Sequence, residues 1–279
     1  MFDRIRTGWG LTKKAWGVIR SHPGLARLPL TGGALALVAF IVIGIPGARL
    51  LDNDTTESTI GGVVLLALGI YLASFAVTYF NVALAAGADQ ALRGEKPDIR
   101  ATKRVARSRI GTIAAWALVS AAVSVVLGAL SDRDGIASRT GSSIGGAIWS
   151  LVTFLVVPVL ALEGIGPFAA MRRSAELFRQ RWGQEVTGNL VIGGAAGLIV
   201  AVGAIAAVGG AVLLATGGAG NEVAGGALVF VGMIACIGGA VFGGATRGVF
   251  GVALYHYVAE DLALGPFMAT DLDAAAHTR

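Results

Sequence analysis

The sequence predicts an all-α membrane protein with six transmembrane helices, and three observations lead to this prediction. Of the 279 residues, 55% are hydrophobic and 14% are charged, with a mean hydropathy of +0.74. Six apolar stretches reach the roughly 20 residues that a helix needs to cross a bilayer core of about 30 Å. Basic residues concentrate in alternate connections between them. The predicted spans are residues 28–50, 60–86, 110–130, 143–162, 186–216 and 223–254.

The distribution of Lys and Arg predicts the orientation. An even number of spans places both termini on one side of the membrane. The N-terminal segment and the connections after spans two and four hold 17 Lys and Arg, whereas the opposite connections hold only Arg49, Arg133 and Arg139. Because Lys and Arg are enriched in cytoplasmic loops, we expect a multi-pass protein of the cytoplasmic (cell) membrane with both termini cytoplasmic.

Residues 1–27 are predicted to form an amphipathic cytoplasmic helix. Apolar side chains recur there at helical spacing, at Phe2, Ile5, Trp9, Trp16 and Ile19. Such a helix lies flat on the inner leaflet, with its Trp side chains at headgroup depth. It acts either as an anchor that fixes the entry of the first span or as a sensor of lipid or curvature. Lys13 and Lys14 are candidate contacts with lipid headgroups.

The remaining chain divides into a six-span domain at 28–258 and a cytoplasmic tail at 259–279. Basic connectors at 88–109 and 163–185 interrupt the domain. In the second connector, Phe168, Met171, Ala175 and Phe178 keep a helical rhythm opposite the charged residues. Further candidate headgroup contacts are Lys103, Arg104, Arg172 and Arg173. We therefore expect anionic membrane lipids as partners, and not nucleic acid.

The ends of spans two, four and six resemble one another. In each, a Phe precedes an apolar run and an acid follows that Phe by 9 or 10 residues; the pairs are Phe80 with Asp89, Phe154 with Glu163, and Phe250 with Glu260. Parallel repeats of this kind are related by an axis along the membrane normal. The pattern favours three parallel helical hairpins, although so short a match also arises by coincidence.

Spans five and six are rich in glycine. Four-residue spacings occur at Gly193 to Gly197, Gly239 to Gly243 and Gly244 to Gly248. Such spacings allow two helix backbones to approach closely because no side chain separates them. The partner is either another span of this chain or a second copy, so a homo-oligomer is one expectation.

A few polar side chains lie within the spans and form a candidate polar path. Arg247 has two interpretations: it snorkels or pairs with an acid such as Glu163, or it lines a polar cavity or anion path. Asn81 and Asn189 are placed to hydrogen-bond neighbouring helices. His256 stands between Tyr255 and Tyr257 in a cluster typical of an interfacial aromatic belt, with no acid or metal set predicted near it. The candidate path comprises Arg247, Asn81, Glu163, Asn189 and His256.

No sequence pattern indicates an enzyme. The chain has no HExxH, phosphate-loop, GxSxG or multi-His metal motif. Its single cysteine, Cys236, permits no intrachain disulfide. We therefore expect no catalytic residues, no cofactor and no metal.

The chain resembles an uncharacterised prokaryotic family of integral membrane proteins, catalogued only as a domain of unknown function. The resemblance covers residues 60–195 and rests on three segments: 80–84, 113–117 with its Trp116, and the Gly-Pro, Arg-Ser and Trp-Gly pairs of 166–183. It implies several membrane helices with amphipathic cytoplasmic connectors. It implies no established activity or ligand.

Two classes of function follow from these patterns. The leading hypothesis is a non-enzymatic pore or transport-like protein in which three hairpins surround a polar path reaching Arg247 and Asn81. The alternative is a structural or lipid-organising membrane protein that binds anionic phospholipid or a protein partner. The sequence names neither a substrate nor an ion.

Overall fold

The computed structural model describes residues 2–51, 55–131, 146, 149–150, 153–182, 194–216, 219–270 and 272. The regular structure in these ranges is helical. The helices are α1 (Phe2–Ser21), α2 (Pro23–Ala39), α3 (Ile45–Leu50), α4 (Thr56–Leu92), α5 (Ile99–Ser108), α6 (Ile110–Ser131), α7 (Val156–Leu162), α8 (Pro167–Trp182), α9 (Gly194–Thr216) and α10 (Ala219–Ala259). A π-helical turn, Phe40–Gly44, joins α2 to α3.

Four helical runs in the described chain are long and apolar enough to cross a membrane, which indicates a membrane-embedded protein. They are Pro23–Leu50, Thr56–Leu92, Ile110–Gly128 and Val223–Ala259, and they match predicted spans one, two, three and six. Part of predicted span four and the start of span five lie outside the described residues. The described part of span five contains a shorter apolar helix, Val202–Leu214. A total of six spans thus stays a prediction.

Local signals account for where several helices begin. The Thr55 side chain accepts a hydrogen bond from the Ser58 amide at 3.3 Å and caps α4. The Asp98 carboxylate accepts one from the Arg100 amide at 2.8 Å and caps α5. Proline at the start of α2 suits this position, because the first backbone N–H groups of a helix have no partner within the helix and nothing is lost when proline lacks one.

Glycines allow two pairs of helices to pack closely. Between the first two spans, a Cβ built on Gly69 would lie 2.7 Å from the Gly44 backbone. Between α9 and α10, a Cβ on Gly210 would lie 2.6 Å from the Gly225 carbonyl oxygen. Side chains at these positions would force the backbones apart. The glycine-mediated contact of α9 with α10 is therefore made within one chain.

The burial of apolar side chains changes abruptly along the long helices. Exposed large apolar side chains run from Ile60 to Val77 on α4, about 26 Å at 1.5 Å per residue, and from Val223 to Ile237 on α10, about 21 Å. This exposed zone, which we call the lipid belt, is shorter than a bilayer core of about 30 Å, by about 4 Å on α4 and about 9 Å on α10.

Past the lipid belt, the same helices continue into a protein core. α4 has 37 residues and α10 has 41, about 56 and 62 Å, so both are longer than the bilayer requires. Their later residues are covered by neighbouring elements; the buried residues include Val82, Leu84, Leu160, Val252 and Leu254. The basic helices α5 and α8 adjoin this core, and we call this part of the bundle the basic end.

Helix α1 lies at the border between the lipid belt and the basic end. The helix covers Phe2–Ser21 of the predicted 1–27, and its buried face consists of Leu11, Ala15, Val18 and Ile19, which pack against the bundle. The predicted apolar face included Trp16, which remains partly exposed with its ring centroid 4.9 Å from that of Phe242. Protein contacts therefore hold this helix.

Helix α8 packs only part of its predicted apolar face against the bundle. Met171 and Phe178 of that face pack against the core, beside the buried Ala170, Ser174 and Leu177, whereas Phe168 is 68% exposed.

Candidate functional site

A cavity of about 500 Å³ lies where α4, the segment before α7, and α10 meet. Two residues of the predicted polar path, Asn81 and Arg247, line it. Glycines of α10 form much of one wall, because a residue without a side chain leaves space between helices; they are Gly239, Gly243, Gly244 and Gly248. The cavity is a cleft open on one side, where Val77, Ser150, Ala240 and Arg247 are exposed.

Arg247 is the single charged residue among the described lining residues. Within the described chain its guanidinium has no hydrogen bond or ion pair. One of its predicted partners, Glu163, is occupied elsewhere. Arg247 lines the cavity and is exposed there, so snorkelling and lining an anion path both stay predictions.

Two hydroxyl groups that the sequence did not single out complete the polar side of the cavity. Ser150 and Thr153 lie one turn apart on the segment before α7 and both line the cavity. The Thr153 hydroxyl donates to the Trp149 carbonyl at 2.6 Å. Together with Arg247 and Asn81 they give a site with several hydrogen-bond donors and a net positive charge.

A group of paired charges, which we call the ionic node, joins α4 to α10 at the basic end. His256 Nε2 lies 2.7 Å from Asp89 Oδ1, and its Nδ1 lies 2.9 Å from Glu260 Oε2. With both carboxylates ionised, each can only accept a hydrogen bond, so both ring nitrogens donate and the ring is an imidazolium. Arg93 Nε also donates to Asp89 Oδ1, at 2.9 Å. This hydrogen bond raises the pKa of Arg93, which therefore stays cationic.

A second polar group ties α10 to the connection between α7 and α8. Tyr255 donates from its hydroxyl to Glu163 Oε1 at 2.9 Å, and Arg173 Nε donates to the same oxygen at 3.1 Å. The contact with Glu163 raises the pKa of Arg173, so this guanidinium also remains charged. Adjacent residues of α10 therefore bind partners on two different elements.

The structure corrects the interpretation of the Tyr255 to Tyr257 segment. These three residues are buried inside the protein, and His256 is only 1% exposed. They are not an interfacial aromatic belt, and His256 does have nearby acids. α10 continues past the lipid belt, so its aromatic residues meet α4 and α7 in place of lipid headgroups.

The three acids of the proposed repeat meet through adjacent residues of α10. Asp89 and Glu260 both contact His256, and Glu163 contacts Tyr255. This grouping agrees with three chain segments that all end at the basic end of the bundle. It does not by itself establish three hairpins.

Several of the predicted headgroup contacts are exposed at the basic end. Lys103 and Arg104 lie on the exposed face of α5, and Arg172 lies on the exposed face of α8. Lys13 is exposed on α1, with its Nζ 5.8 Å from the centre of the Trp9 ring.

Two other predicted headgroup contacts are less exposed, and one residue of the predicted polar path is not described. Lys14 is half-buried, and Arg173 takes part in the contact with Glu163. Asn189 lies outside the described residues.

The sequence profile of one family, described as a family of unknown function (DUF6159), matches residues 59–265. The chain belongs to this family. The match covers most of the chain, including α4, the described lining of the cavity and the ionic node. It confirms the predicted resemblance to a family known only as a domain of unknown function. No curated protein and no solved structure matches the chain.

Sequence reasoning missed part of the site for identifiable reasons. Glu260 follows His256 by four residues, which places the two side chains on one face of a helix, so this contact was visible in the sequence. Asp89 is 167 residues from His256, and no local pattern connects them. Ser150 and Thr153 look like ordinary polar residues of a membrane helix until α10 is placed beside them.

Proposed function

We propose that this is a non-enzymatic membrane protein that binds and organises anionic phospholipid at the inner leaflet. In this proposal the chain crosses the cytoplasmic membrane six times, with both termini inside the cell. The basic end then faces the cytoplasm. The observation that carries the proposal is the exposed basic face of α5, directly beside the membrane-spanning α6.

Helix α5 has the charge distribution of a membrane-surface helix. Its buried residues are the small Thr102 and Ala106, and its outward face carries Arg100, Lys103, Arg104 and Arg107, all exposed. α6 begins two residues after α5 ends, so α5 is held near the membrane surface. Each Lys or Arg close to an anionic surface contributes about 1 kcal/mol of attraction.

Quenching of Trp fluorescence by brominated lipids tests the proposal. The purified full chain is placed in bilayers that contain brominated phosphatidylglycerol or brominated phosphatidylcholine. We expect stronger quenching by phosphatidylglycerol at low salt and a smaller difference at high salt, because exposed charges are screened. Equal quenching by the two lipids at low salt would contradict the proposal.

Charge variants assign this preference to α5. In the triple variant Lys103→Gln, Arg104→Gln, Arg107→Gln, we expect most of the preference for phosphatidylglycerol to be lost. Arg49→Gln removes an exposed charge from the opposite end of the bundle and serves as the control. An unchanged preference in the triple variant would show that α5 is not the contact.

A transport-like function is the second candidate. The observation that favours it is the presence of Asn81 and Arg247 in one cavity among three elements. However, Leu84, Leu160 and Val252 are fully buried at the basic end, so a passage would require the core to move. Anion flux into liposomes that is abolished by Arg247→Ala would favour transport, and flux that is indifferent to it would count against transport.

A further inference from the structure

We infer that the cavity lined by Asn81 and Arg247 binds the phosphate group of one anionic phospholipid. This inference rests on the proposed function, and it adds a specific site and a ligand class to it. A site of this kind differs from the exposed face of α5, since it holds one lipid molecule in a defined place.

The first argument is the depth of the cavity. On α10 the last exposed large apolar residue is Ile237, and the cavity lining begins two residues later, at Gly239. Arg247 is ten residues after Ile237, about 15 Å along the helix, but helix side chains lean back toward the N-terminus, which is the direction of the lipid belt. On α4 the lipid belt ends at Val77, one turn before Asn81. The polar lining thus begins where the exposed apolar surface ends. That level is the depth of lipid headgroups.

The position of α1 supports the same depth independently. Trp16 contacts Phe242, five residues before Arg247 on α10. Trp side chains concentrate at the membrane interface, where one part of the ring system is in an apolar environment and the other is near water. Lys13 lies on the same helix with its charge exposed. Two separate features, burial and aromatic placement, therefore mark the interface close to the cavity.

The second argument is the chemistry of the lining. Arg247 offers a planar guanidinium, which binds phosphate oxygens through paired hydrogen bonds. Asn81, Ser150 and Thr153 add an amide and two hydroxyls, and none of the described lining residues is acidic. Within the described chain the Arg247 guanidinium has no hydrogen bond or ion pair, and a lipid phosphate would supply an anionic partner.

The third argument is the size and shape of the site. About 500 Å³ falls within the range of 300 to 1,000 Å³ typical of sites for organic ligands, and is far more than a free phosphate fills. Besides its polar groups, the cavity has apolar walls from Val77, Phe154, Val157 and Pro158. Such a mixed lining suits a headgroup with its glycerol unit. Val77 and Ala240 are exposed at the rim, so the acyl chains have a route into the lipid.

Native mass spectrometry of the full chain released from detergent tests the site. The probes are dioctanoyl phosphatidylglycerol, dioctanoyl phosphatidylcholine, glycerol 3-phosphate and inorganic phosphate. We expect one tightly held phosphatidylglycerol per chain, displaced neither by glycerol 3-phosphate nor by inorganic phosphate. Displacement by either soluble phosphate at equal concentration would overturn the assignment to lipid, and equal retention of phosphatidylcholine would overturn the preference for an anion.

Variants locate the binding. Arg247→Gln removes the charge from an exposed residue, so folding should be preserved. We expect its retention of phosphatidylglycerol to fall about tenfold or more, which corresponds to the loss of a hydrogen bond to a charged group. Gly244→Leu fills the cavity from a position where an added Cβ meets no atom within 4 Å, and should abolish retention. Gly238→Leu on the same helix, also free of contacts and outside the cavity, is the matched control. Unchanged retention in both Arg247→Gln and Gly244→Leu would overturn the site.

The failure of this site and the failure of the proposed surface contact are distinguishable. If the cavity is the site, the triple α5 variant keeps its one bound phosphatidylglycerol while the brominated-lipid preference declines. If only the α5 surface binds lipid, Gly244→Leu leaves the brominated-lipid preference unchanged and no single tightly held lipid is observed in any variant.

Discussion

Replacement of His256 by alanine should strongly destabilise the basic end of the bundle. The imidazole is 1% exposed and contacts Asp89 at 2.7 Å and Glu260 at 2.9 Å. A hydrogen bond to a charged group contributes about 1.5 to 3 kcal/mol. His256→Ala loses two such bonds and leaves a void in place of a buried ring.

Partial exposure of Asp89 and Glu260 reduces the stability that the variant is expected to lose. The side chains of Asp89 and Glu260 are 22% and 38% exposed, so water can solvate both carboxylates after the ring is removed. Arg93 also remains bonded to Asp89. We therefore expect a decrease in the free energy of unfolding of about 2 to 4 kcal/mol, less than the 3 to 5 kcal/mol of a fully buried charge pair.

The assay is reversible unfolding in mixed micelles at increasing mole fractions of a denaturing detergent, followed by circular dichroism. His22→Ala is the control because His22 is only half-buried and contacts neighbours on its own helix end. We expect the control to change stability by less than about 1 kcal/mol. A decrease below about 0.5 kcal/mol for His256→Ala would refute the role assigned to the ionic node.

Two further predictions concern helix packing and capping. Gly69→Ala should destabilise the protein by about 1 to 3 kcal/mol in the same unfolding assay, because the new Cβ would meet the Gly44 backbone. Gly33→Ala is the control: a Cβ there meets no atom within 4 Å, so this variant should be neutral or stabilising. Asp98→Ala should remove the cap on the Arg100 amide and lower the stability of α5 by about 1 kcal/mol. We expect amide hydrogen exchange in α5 to be faster in the variant than in the parent protein, with α6 as the internal reference. Equal exchange of α5 in the two proteins would show that the cap is dispensable.

Hydropathy predicted the described spans well because lipid demands a long uninterrupted apolar run. Span three, predicted at residues 110–130, corresponds to α6 at Ile110–Ser131. The same signal could not show where a span leaves the lipid. Val77 and Val82 are alike in sequence, yet Val77 is exposed and Val82 is fully buried by neighbouring helices. Lipid and a protein core are both apolar, so composition does not separate them.

The polar contacts were predictable only where they are local. The interval from His256 to Glu260 is one helical turn, but the bonds of His256 to Asp89 and of Tyr255 to Glu163 span 167 and 92 residues. The sequence placed Asn81 and Arg247 together on one predicted polar path, but not on the wall of a particular cavity. Only the packing of α4 beside α10 shows that they line one cavity.

The central claim is that the exposed apolar surface of the long helices ends near Val77 and Ile237, which places the cavity that Arg247 lines at headgroup depth. Spin labels measure this depth directly. One label is attached at Ile234→Cys or at Arg247→Cys, in a chain whose native cysteine is removed by Cys236→Ala. The accessibility of each label to oxygen and to a polar nickel complex is then measured in bilayers. The account predicts that the label at position 234 is accessible to oxygen and shielded from nickel, and that the label at position 247 is accessible to nickel. Shielding from nickel at position 247 as complete as at position 234 would contradict it.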